Sequence, residues 1–248
     1  MKREILDGIL AASAAKRAVV LAIDLGTGES RLLDPYDDRA GVDPDLLAAA
    51  RDAAVADVAK KLERPGGALF LRPFNPPVRV IVVGAVHVTQ ALARMLQLAG
   101  YEVLVVDPRR AFATAERFPG IPLVDAWPDE ALSKAPLDRR TAVVTLTHDP
   151  KFDDPALAAA LRSPAFYVGA LGSKKTHAAR VERLRRMGFG DADIARIHAP
   201  VGLPIGAVSP AEIAVSVMAE IIGALRRPAD RARSASGGVD GARHYRQE

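Results

Sequence analysis

The chain has 248 residues, 49% of them hydrophobic and 26% charged, and it contains no cysteine. This length can bury a substantial core, and the absence of cysteine excludes disulfides, thiolate metal ligands and a thiol nucleophile within it. Six arginines and three acids from Arg226 onward account for most of the net charge of +4, so no nucleic-acid-binding face is indicated. No apolar run reaches the ~18 residues that span a bilayer, and the charged N-terminus is a poor signal peptide. We therefore expect a cytoplasmic protein.

Residues 1–77 are predicted to form a small α+β module. A helix is expected over residues 44–62, because Asp43 is a favourable N-cap and Pro44 suits the first helical position. Strands are expected at residues 19–23 and 31–33, which form a hairpin, and at residues 68–71. The proline-rich segment 73–77 is not expected to continue a strand and marks the domain boundary.

From residue 78 to 226, strand and helix patterns alternate, which predicts parallel pairing in a Rossmann-like, doubly wound α/β sheet. The predicted strands are residues 80–83, 103–106, 142–146, 165–168 and a short one near 196–198. The predicted helices are residues 88–98, 155–161, 174–187 and 210–225, the last with a capping box of Ser209 and Glu212. Residues 227–248 lack periodicity and are expected to be a disordered tail.

Segment 80–107 has the pattern of a nucleotide-binding strand, turn, helix and strand. It ends in Asp107, an acid at the usual distance for gripping a ribose hydroxyl. Only Gly84 remains of the three-glycine fingerprint, because Val86 and Thr89 occupy the other two positions. Val86 is expected to obstruct a pyrophosphate, so an NAD(P)-binding oxidoreductase is kept only as the alternative function.

Ligands of a doubly wound sheet bind where its strands end, and three features of this sequence are expected to meet there. The first is the glycine turn, residues 84–87, which comprises Gly84, Ala85, Val86 and His87. The turn opens a helix whose N-terminus attracts anions, and the imidazole of His87 could donate to a phosphate or a phenolate-like oxygen. The alternative is that His87 only caps the helix.

The second feature is the glycine loop, residues 169–176, which leads from a strand into a helix. Its candidate binding residues are Gly169, Gly172, Ser173, Lys174, Lys175 and Thr176. Backbone N–H groups and two hydroxyls predict an anion nest, although the spacing is not that of a Walker A loop. Cations at a helix N-terminus oppose the helix dipole unless an anion offsets them. This favours phosphate binding over a merely solvated lysine pair.

The third feature is Thr147 and His148, followed by Asp149, at the end of another strand. The adjacent His148 and Asp149 could serve as acid and base, as a hydrogen-bonding clamp, or as an ordinary Asx turn before a proline. The spacing leaves these alternatives open.

Asp107 and Arg109 could supply an acid for a ribose-like diol and a guanidinium for a phosphate, or form only a polar turn. Phe112, Phe118 and Trp127 are too scattered in sequence to predict a stacking platform. His, Asp and Glu do not cluster at metal-ligand spacing, and no nucleophile motif occurs, so neither a metal site nor a catalytic residue is predicted.

The following segments match a known family, and the combination of the last two is specific: GAVHV (84–88), VDPR (106–109), LTHDPK (146–151), FYVGALGSKKT (166–176) and HAPVGLPIG (198–206). In this combination the chain resembles the XdhC/CoxI family, the accessory proteins of xanthine dehydrogenase and carbon monoxide dehydrogenase type molybdoenzymes. The resemblance runs from about residue 78 to residue 222. It implies a chaperone that binds the molybdenum cofactor (molybdopterin) as cargo, protects it, helps its sulfuration through a cysteine desulfurase and delivers it to the apo-subunit of the target enzyme.

The resemblance implies binding rather than turnover of a substrate. We expect the cofactor to bind at the residues discussed above: the glycine loop could supply the anion nest, and Gly84, Ala85, His87, Asp107, Arg109, Thr147 and His148 complete the candidate site. Two departures from the family are evident: the N-terminal region is short and cysteine-free, so it cannot carry a persulfide, and Val86 replaces a glycine that members often have. The apolar helix at 210–225 leaves a homodimer open.

Overall fold

The computed structural model describes residues 2–38, 41–135 and 137–226. The tail predicted at 227–248 lies outside the described residues. Within the described part, two sheets follow one another along the chain: the first ends at Phe74 and the second begins at Arg79. None of the helices in this part is both long and apolar enough to cross a membrane.

The N-terminal sheet is antiparallel, with strand order β2-β1-β4-β3. Its elements are α1 (Arg3–Ala14), β1 (Val19–Asp24), β2 (Ser30–Leu33), α2 (Pro44–Ala56), β3 (Lys60–Arg64) and β4 (Gly67–Phe74). The predicted hairpin is confirmed, since β1 pairs with β2. Helix α2 buries Leu46 and Ala50 against Val20 and Leu71 of the sheet, so the α+β module has its own core.

Two expectations for this module are wrong. Helix α2 ends at Ala56 rather than at residue 62, because Asp57 takes a left-handed conformation (φ 59°) and the chain turns into β3. Pairing with β4 there outweighs the local helix preference. Strand β4 also continues through Pro73, which pairs with Val20. Pro73 is tolerated because the pairing of β3 with β4 ends at Leu71, which leaves Pro73 with a partner on one side only. Helix α1 was not predicted.

The second sheet is parallel, and its strand order is β10-β9-β8-β5-β6-β7. Its strands are β5 (Arg79–Val83), β6 (Glu102–Val106), β7 (Leu123–Val124), β8 (Thr141–Thr145), β9 (Tyr167–Ala170) and β10 (Ile197–His198). Its helices are α3 (His87–Leu98), α4 (Pro128–Lys134), α5 (Pro150–Leu161), α6 (Lys174–Arg186), α7 (Asp191–Ile194) and α8 (Pro210–Arg226). The predicted Rossmann-like α/β class is confirmed.

Helices cover both faces of this sheet, which explains the continuous apolar strands. One core contains residues from α3 and α8, such as Leu92 and Val217, and the other contains residues from α4, α5 and α6, such as Leu157. Helix α5 begins at Pro150, earlier than predicted, because Asp149 caps it by accepting a hydrogen bond from the Lys151 N–H. The capping box of α8 is confirmed in both directions.

The strand order of the second sheet changes direction at one position. The chain goes from β5 to β6 on one side and later returns to β8 on the other side. The helices that follow β5 and β8 therefore pack on opposite faces of the sheet, and the switch point lies at the edge where the strands end, here called the carboxyl edge. Open α/β sheets bind ligands at such a switch point.

Candidate functional site

The carboxyl edge brings together the loops after β5, β6, β8 and β9, in which the predicted features lie. The loops after β5 and β8 touch: a Cβ atom on Gly84 would lie 2.7 Å from Thr147 Cγ2 and 3.3 Å from the Thr147 nitrogen. Gly84 also has φ +112°, a conformation that side chains rarely adopt. This position therefore requires glycine for both conformation and space.

Thr89 replaces the third fingerprint glycine without disturbing the turn. It is fully buried, and its hydroxyl donates to the Gly84 carbonyl at 2.5 Å. Val86 is the N-cap residue of α3 and packs, partly buried, against the core on that face of the sheet. His87 is exposed at the first position of α3, in reach of a ligand at the carboxyl edge.

Asp107 is buried and its carboxylate is occupied by protein donors. Oδ2 accepts hydrogen bonds from the Ala85 N–H (2.7 Å) and from Arg109 Nη2 (2.7 Å), while Oδ1 accepts from the N–H and Nε of Arg109 (3.0 and 2.9 Å). Burial by itself raises the pKa of Asp107, but these hydrogen bonds outweigh it and hold the pKa below its ordinary value. Asp107 thus ties the glycine turn to Arg109, and its contact with a ribose-like diol stays a prediction.

The glycine loop has free backbone donors at the start of α6. Ser173 is the N-cap, and its hydroxyl accepts from the Thr176 N–H at 3.2 Å and lies 3.0 Å from the Thr176 hydroxyl. Within the described residues, the N–H groups of Ser173, Lys174 and Lys175 have no protein acceptor. Gly172 has φ +134°, and a Cβ there would lie 3.0 Å from Thr176 Cγ2. The loop can therefore present three N–H groups and two ammonium groups to an anion.

Gly169 differs from the rest of this loop because it lies within β9 and is buried. A Cβ atom there would approach Val201 Cγ2 to 2.7 Å and Tyr167 Cε1 to 2.8 Å. The absence of a side chain at Gly169 therefore allows Val201 and Tyr167 to pack against the strand.

Arg180 is a buried residue behind the glycine loop that sequence reasoning missed. Its side chain is 1% exposed, and Nη2 donates to the Leu171 carbonyl at 2.8 Å. Nε and Nη1 have no hydrogen-bond partner among the described residues. The carboxylate of Asp153 is 3.7 Å away and accepts instead from the Thr147 hydroxyl at 2.6 Å. The loops after β8 and β9 therefore meet at an incompletely hydrogen-bonded ion pair.

Burial raises the pKa of Asp153 although the Thr147 hydroxyl and the Arg180 guanidinium lower it. Buried charges normally have full hydrogen bonding, so the free donors of Arg180 are the unusual feature of this pair. The sequence indicated the burial of Arg180 only through its position on α6, which is on a different side of the helix from the exposed Lys174 and Lys175.

The three interpretations of the Thr147–His148–Asp149 segment can be compared with its contacts. Asp149 accepts from the Lys151 N–H at 2.9 Å and caps α5, as the Asx-turn alternative expects. His148 is exposed with φ 64°. Its imidazole lies at the carboxyl edge, like that of His87, and is open to a ligand.

Glu220 is a second residue whose role was not predicted from the sequence. On α8, it accepts from the Tyr167 hydroxyl (2.5 Å) and the Gly202 N–H (2.8 Å), and it lies 2.8 Å from His198 Nδ1. Burial raises the pKa of Glu220, but hydrogen bonds from His198, Tyr167 and Gly202 outweigh it and lower the pKa. This network fixes the loop after β10, and an acid within an apolar helix was its only sequence signal.

The aromatic residues are less scattered than the sequence suggests. Phe118 is buried in the core (2% exposed), but Phe112 and Trp127 lie near Phe152 and Arg109 at the carboxyl edge. Phe112 contacts Arg109, and Trp127 contacts Phe152, an arrangement that the sequence did not predict. Phe112 and Trp127 follow β6 and β7, and Phe152 follows β8, so strand order gathers residues that are distant in sequence.

Comparisons with known proteins agree with this architecture. The XdhC Rossmann domain family matches residues 80–221. The chain is 34% identical over 162 residues (65% of this chain, 47% of the relative) to a probable xanthine dehydrogenase subunit of Bacillus subtilis. It is 33% identical over 148 residues (60% of this chain, 40% of the relative) to the molybdenum cofactor insertion chaperone PaoD of Escherichia coli. The chain thus spans less than half of the length of these relatives.

A crystal structure described as a xanthine dehydrogenase from Bacillus halodurans has a similar fold. The TM-score is 0.63 at 24% identity, and the match covers 90% of this chain and 64% of that chain. This similarity extends over both sheets, since it includes most of the chain.

Proposed function

The chain belongs to the XdhC family, and from this we propose that it is a cytoplasmic accessory protein that binds the molybdenum cofactor as cargo. It protects the cofactor and delivers it to the apo-subunit of a xanthine dehydrogenase or carbon monoxide dehydrogenase family enzyme. The similarity to a relative named as a molybdenum cofactor insertion chaperone supports this role. Because the chain has no cysteine, sulfuration of the cargo requires a separate sulfur donor such as a cysteine desulfurase.

The observation that carries the proposal is the set of unpartnered donors around the glycine loop. The N–H groups at the start of α6 point out of a helix end that lacks acidic residues in its first turn. Lys174 and Lys175 add positive charge at the end where the helix dipole is already positive, an arrangement that an anion stabilises. The phosphate of a pterin cofactor supplies such an anion, and its bonds to backbone donors need no side-chain specificity.

Arg180 strengthens the fit of this loop to a phosphate. A guanidinium with two unpartnered nitrogens is costly inside a protein, and Arg180 lies directly behind Gly172, whose added Cβ would be 3.7 Å from Arg180 Nη2. In this proposal, a small movement of the glycine loop turns Nε and Nη1 of Arg180 toward an anion bound at the start of α6. The Thr147 hydroxyl donates to Asp153, which forms the ion pair with Arg180, and so connects the loop after β8 to the same site.

The remaining residues at the carboxyl edge orient and shelter the cargo. His87 and His148 are exposed imidazoles on neighbouring loops and can donate to polar atoms of a pterin. The glycine turn and Asp107 hold Arg109 in place. None of these roles requires a chemical step, so the proposal is binding and transfer of the intact cofactor.

The NAD(P)-binding alternative is less well supported by the geometry. The acid that would hold a ribose diol, Asp107, is saturated by Arg109 and the Ala85 N–H. We expect no saturable energy transfer from Trp127 to NADH or NADPH on titration. Tight, saturable transfer would favour the oxidoreductase instead.

The proposed function is tested by anaerobic loading of the purified chain with molybdopterin, followed by measurement of the pterin released on heat denaturation. The double variant Lys174→Glu/Lys175→Glu is expected to bind the cofactor more than about a hundredfold more weakly, because charge-assisted contacts to a phosphate are each worth about 1.5–3 kcal/mol. The matched control is Lys60→Glu/Lys61→Glu, which makes the same charge change on β3 of the N-terminal sheet. It should retain cofactor as the wild type does. A wild-type chain that never retains molybdopterin disproves the proposal.

A further inference from the structure

Two aromatic rings at the carboxyl edge are about half exposed: Trp127 at 50% and Phe112 at 43%. Exposure alone assigns them no role, because Leu98 and Val208 are more exposed at other places, and single exposed apolar residues are normal. The two rings differ from those residues because a series of contacts connects them: Phe112 to Arg109, Arg109 to Phe152, and Phe152 to Trp127.

Arg109 lies between Phe112 and Phe152 in this series. Its guanidinium carbon lies 4.6 Å from the centroid of the Phe112 ring and 5.3 Å from that of Phe152, both within the range of a cation–π contact. The ring of Trp127 in turn lies 5.3 Å from that of Phe152, which is buried beneath it. The four residues form one unit, which we call the aromatic–arginine cluster: Arg109, Phe112, Trp127 and Phe152.

Arg109 is rigid within this cluster and keeps hydrogen-bonding capacity. Nε and Nη2 both donate to the buried carboxylate of Asp107, which fixes the plane of the guanidinium. Nη1 donates to no acceptor among the described residues, and the side chain is 33% exposed. A fixed guanidinium plane beside exposed rings offers a flat stacking surface together with a donor at its rim.

The cluster is connected to the anion-binding loops. Asp107 also accepts from the Ala85 N–H, so the cluster is tied directly to the glycine turn after β5. Arg109 and Phe112 follow β6, which is three strands away from β9 and the glycine loop, a separation of roughly 14 Å. A ligand reaches both places only when its flat ring system and its phosphate lie at opposite ends of the molecule.

We propose that the aromatic–arginine cluster is the subsite for the pterin ring of the cargo. The ring stacks on Trp127 and Phe112, and Arg109 Nη1 donates to its carbonyl oxygen, while the phosphate lies at the glycine loop. This inference rests on the proposed function, because it assigns the two ends of the same cargo. The chemistry recognised is a planar heteroaromatic ring, which a nucleobase also provides, so the test compares both sources.

Trp127 is the single tryptophan of the chain, so its fluorescence reports on this subsite alone. The full chain is titrated with pterin-6-carboxylic acid, with AMP and with inorganic phosphate. We expect saturable quenching by the pterin, and no comparable change with phosphate or AMP. Phe112→Leu should weaken pterin binding about tenfold, because stacking on one aromatic side chain is worth about 1–3 kcal/mol. Phe74→Leu is the control, since Arg72 lies over that ring at 5.4 Å on the other sheet.

Retention of molybdopterin, measured by release on heating, separates this inference from the proposed function. If the wild type retains molybdopterin but the pterin leaves Trp127 fluorescence unchanged, the subsite is wrong and the function stands. Quenching by AMP alone also overturns the subsite. If the pterin quenches Trp127 and Phe112→Leu weakens the effect, the subsite stands even where molybdopterin is never retained. Should Phe112→Leu not fold, the comparison of pterin with AMP on the wild type decides.

Discussion

Gly84 is the residue of the glycine turn at which a side chain has no room, because Thr147 lies next to it. Its φ of +112° and the 2.7 Å that would separate an added Cβ atom from Thr147 make it intolerant of substitution for two separate reasons. The neighbouring fingerprint positions have adapted differently: Thr89 bonds the Gly84 carbonyl and Val86 packs toward the core. A turn can thus keep its shape with one glycine when side chains provide the other contacts.

Gly84→Ala is expected to lower the free energy of unfolding by about 3 kcal/mol, from a positive φ and from a clash with Thr147. Gly188→Ala is the matched control, because Gly188 has φ +90° but no atom near its missing Cβ. That variant should lose only about 1 kcal/mol. Urea unfolding measures both values. Equal losses of unfolding free energy in the two variants would show that the close approach of Thr147 to Gly84 adds nothing to the effect of the substitution.

Helix α6 illustrates a conflict between stability and binding within one element. Its N-cap Ser173 satisfies the Thr176 N–H, yet two lysines follow where acids are favoured. Its C-terminal turn has the expected basic residues, Arg183, Arg185 and Arg186. The unfavourable charge is therefore confined to the end that faces the carboxyl edge.

Lys174→Glu/Lys175→Glu should raise the stability of the unliganded chain by about 0.5 kcal/mol at low salt, since acids at this end favour the helix dipole. The same variant should bind less cargo, so the two effects have opposite signs. Chemical unfolding in low salt, with Lys60→Glu/Lys61→Glu as the control for net charge, measures the stability term. A loss of stability in the α6 variant would contradict this account.

At the scale of the whole molecule, Asp57 joins the two sheets. Its Oδ1 accepts from Asn75 Nδ2 at 2.7 Å, and its Oδ2 lies 3.2 Å from Arg140 Nη2 and 3.3 Å from Arg226 Nη1. Burial by itself raises the pKa of Asp57, but the hydrogen bonds from Asn75 and Arg140 outweigh it and lower the pKa. An acid with a lowered folded pKa stabilises the protein above its unfolded pKa, and that contribution disappears as pH falls through the folded value.

Asp57→Asn is therefore expected to cost about 1.5 kcal/mol at pH 7, because it removes a partly buried charge partner while asparagine tolerates the left-handed conformation. The difference from wild type should shrink as the pH falls below about 4, the ordinary pKa of an aspartate. Denaturant unfolding between pH 3 and 7 measures it. Asp7→Asn is the control, since the side chains of Asp7 and its partner Arg3 are both exposed and their ion pair is long, at 3.9 Å. A difference that does not change with pH would contradict an ionic role for Asp57.

Much of the fold could be predicted because local signals agreed with the tertiary structure. The apolar strands and the capping box of Ser209 and Glu212 occur as expected. Predictions were wrong where pairing overrode local preference. Residues 60–62 join β3 instead of extending a helix, and Pro73 stays in β4 because one side of that strand is unpaired there.

The candidate site was only partly predictable, for a physical reason. Glycines, helix ends and charges close together in the chain indicate a loop, so the glycine turn and the glycine loop were recognised from sequence. Contacts between distant residues have no such signal: Arg180 with Asp153, Glu220 with Tyr167, and Phe112, Trp127 and Phe152 around Arg109.

The sequence by itself determined the parallel α/β class, the family resemblance and the position of the glycine-containing loops that we propose to bind an anion, because these depend on periodicity and on short segments. Tertiary structure alone decided that Asp107 binds Arg109 rather than facing the crevice, that Arg180 is buried with unpartnered nitrogens, and that two exposed rings share one edge. The strand order of the sheet, β10-β9-β8-β5-β6-β7, sets which loops become neighbours. That order depends on the packing of whole strands and helices and not on any local sequence pattern.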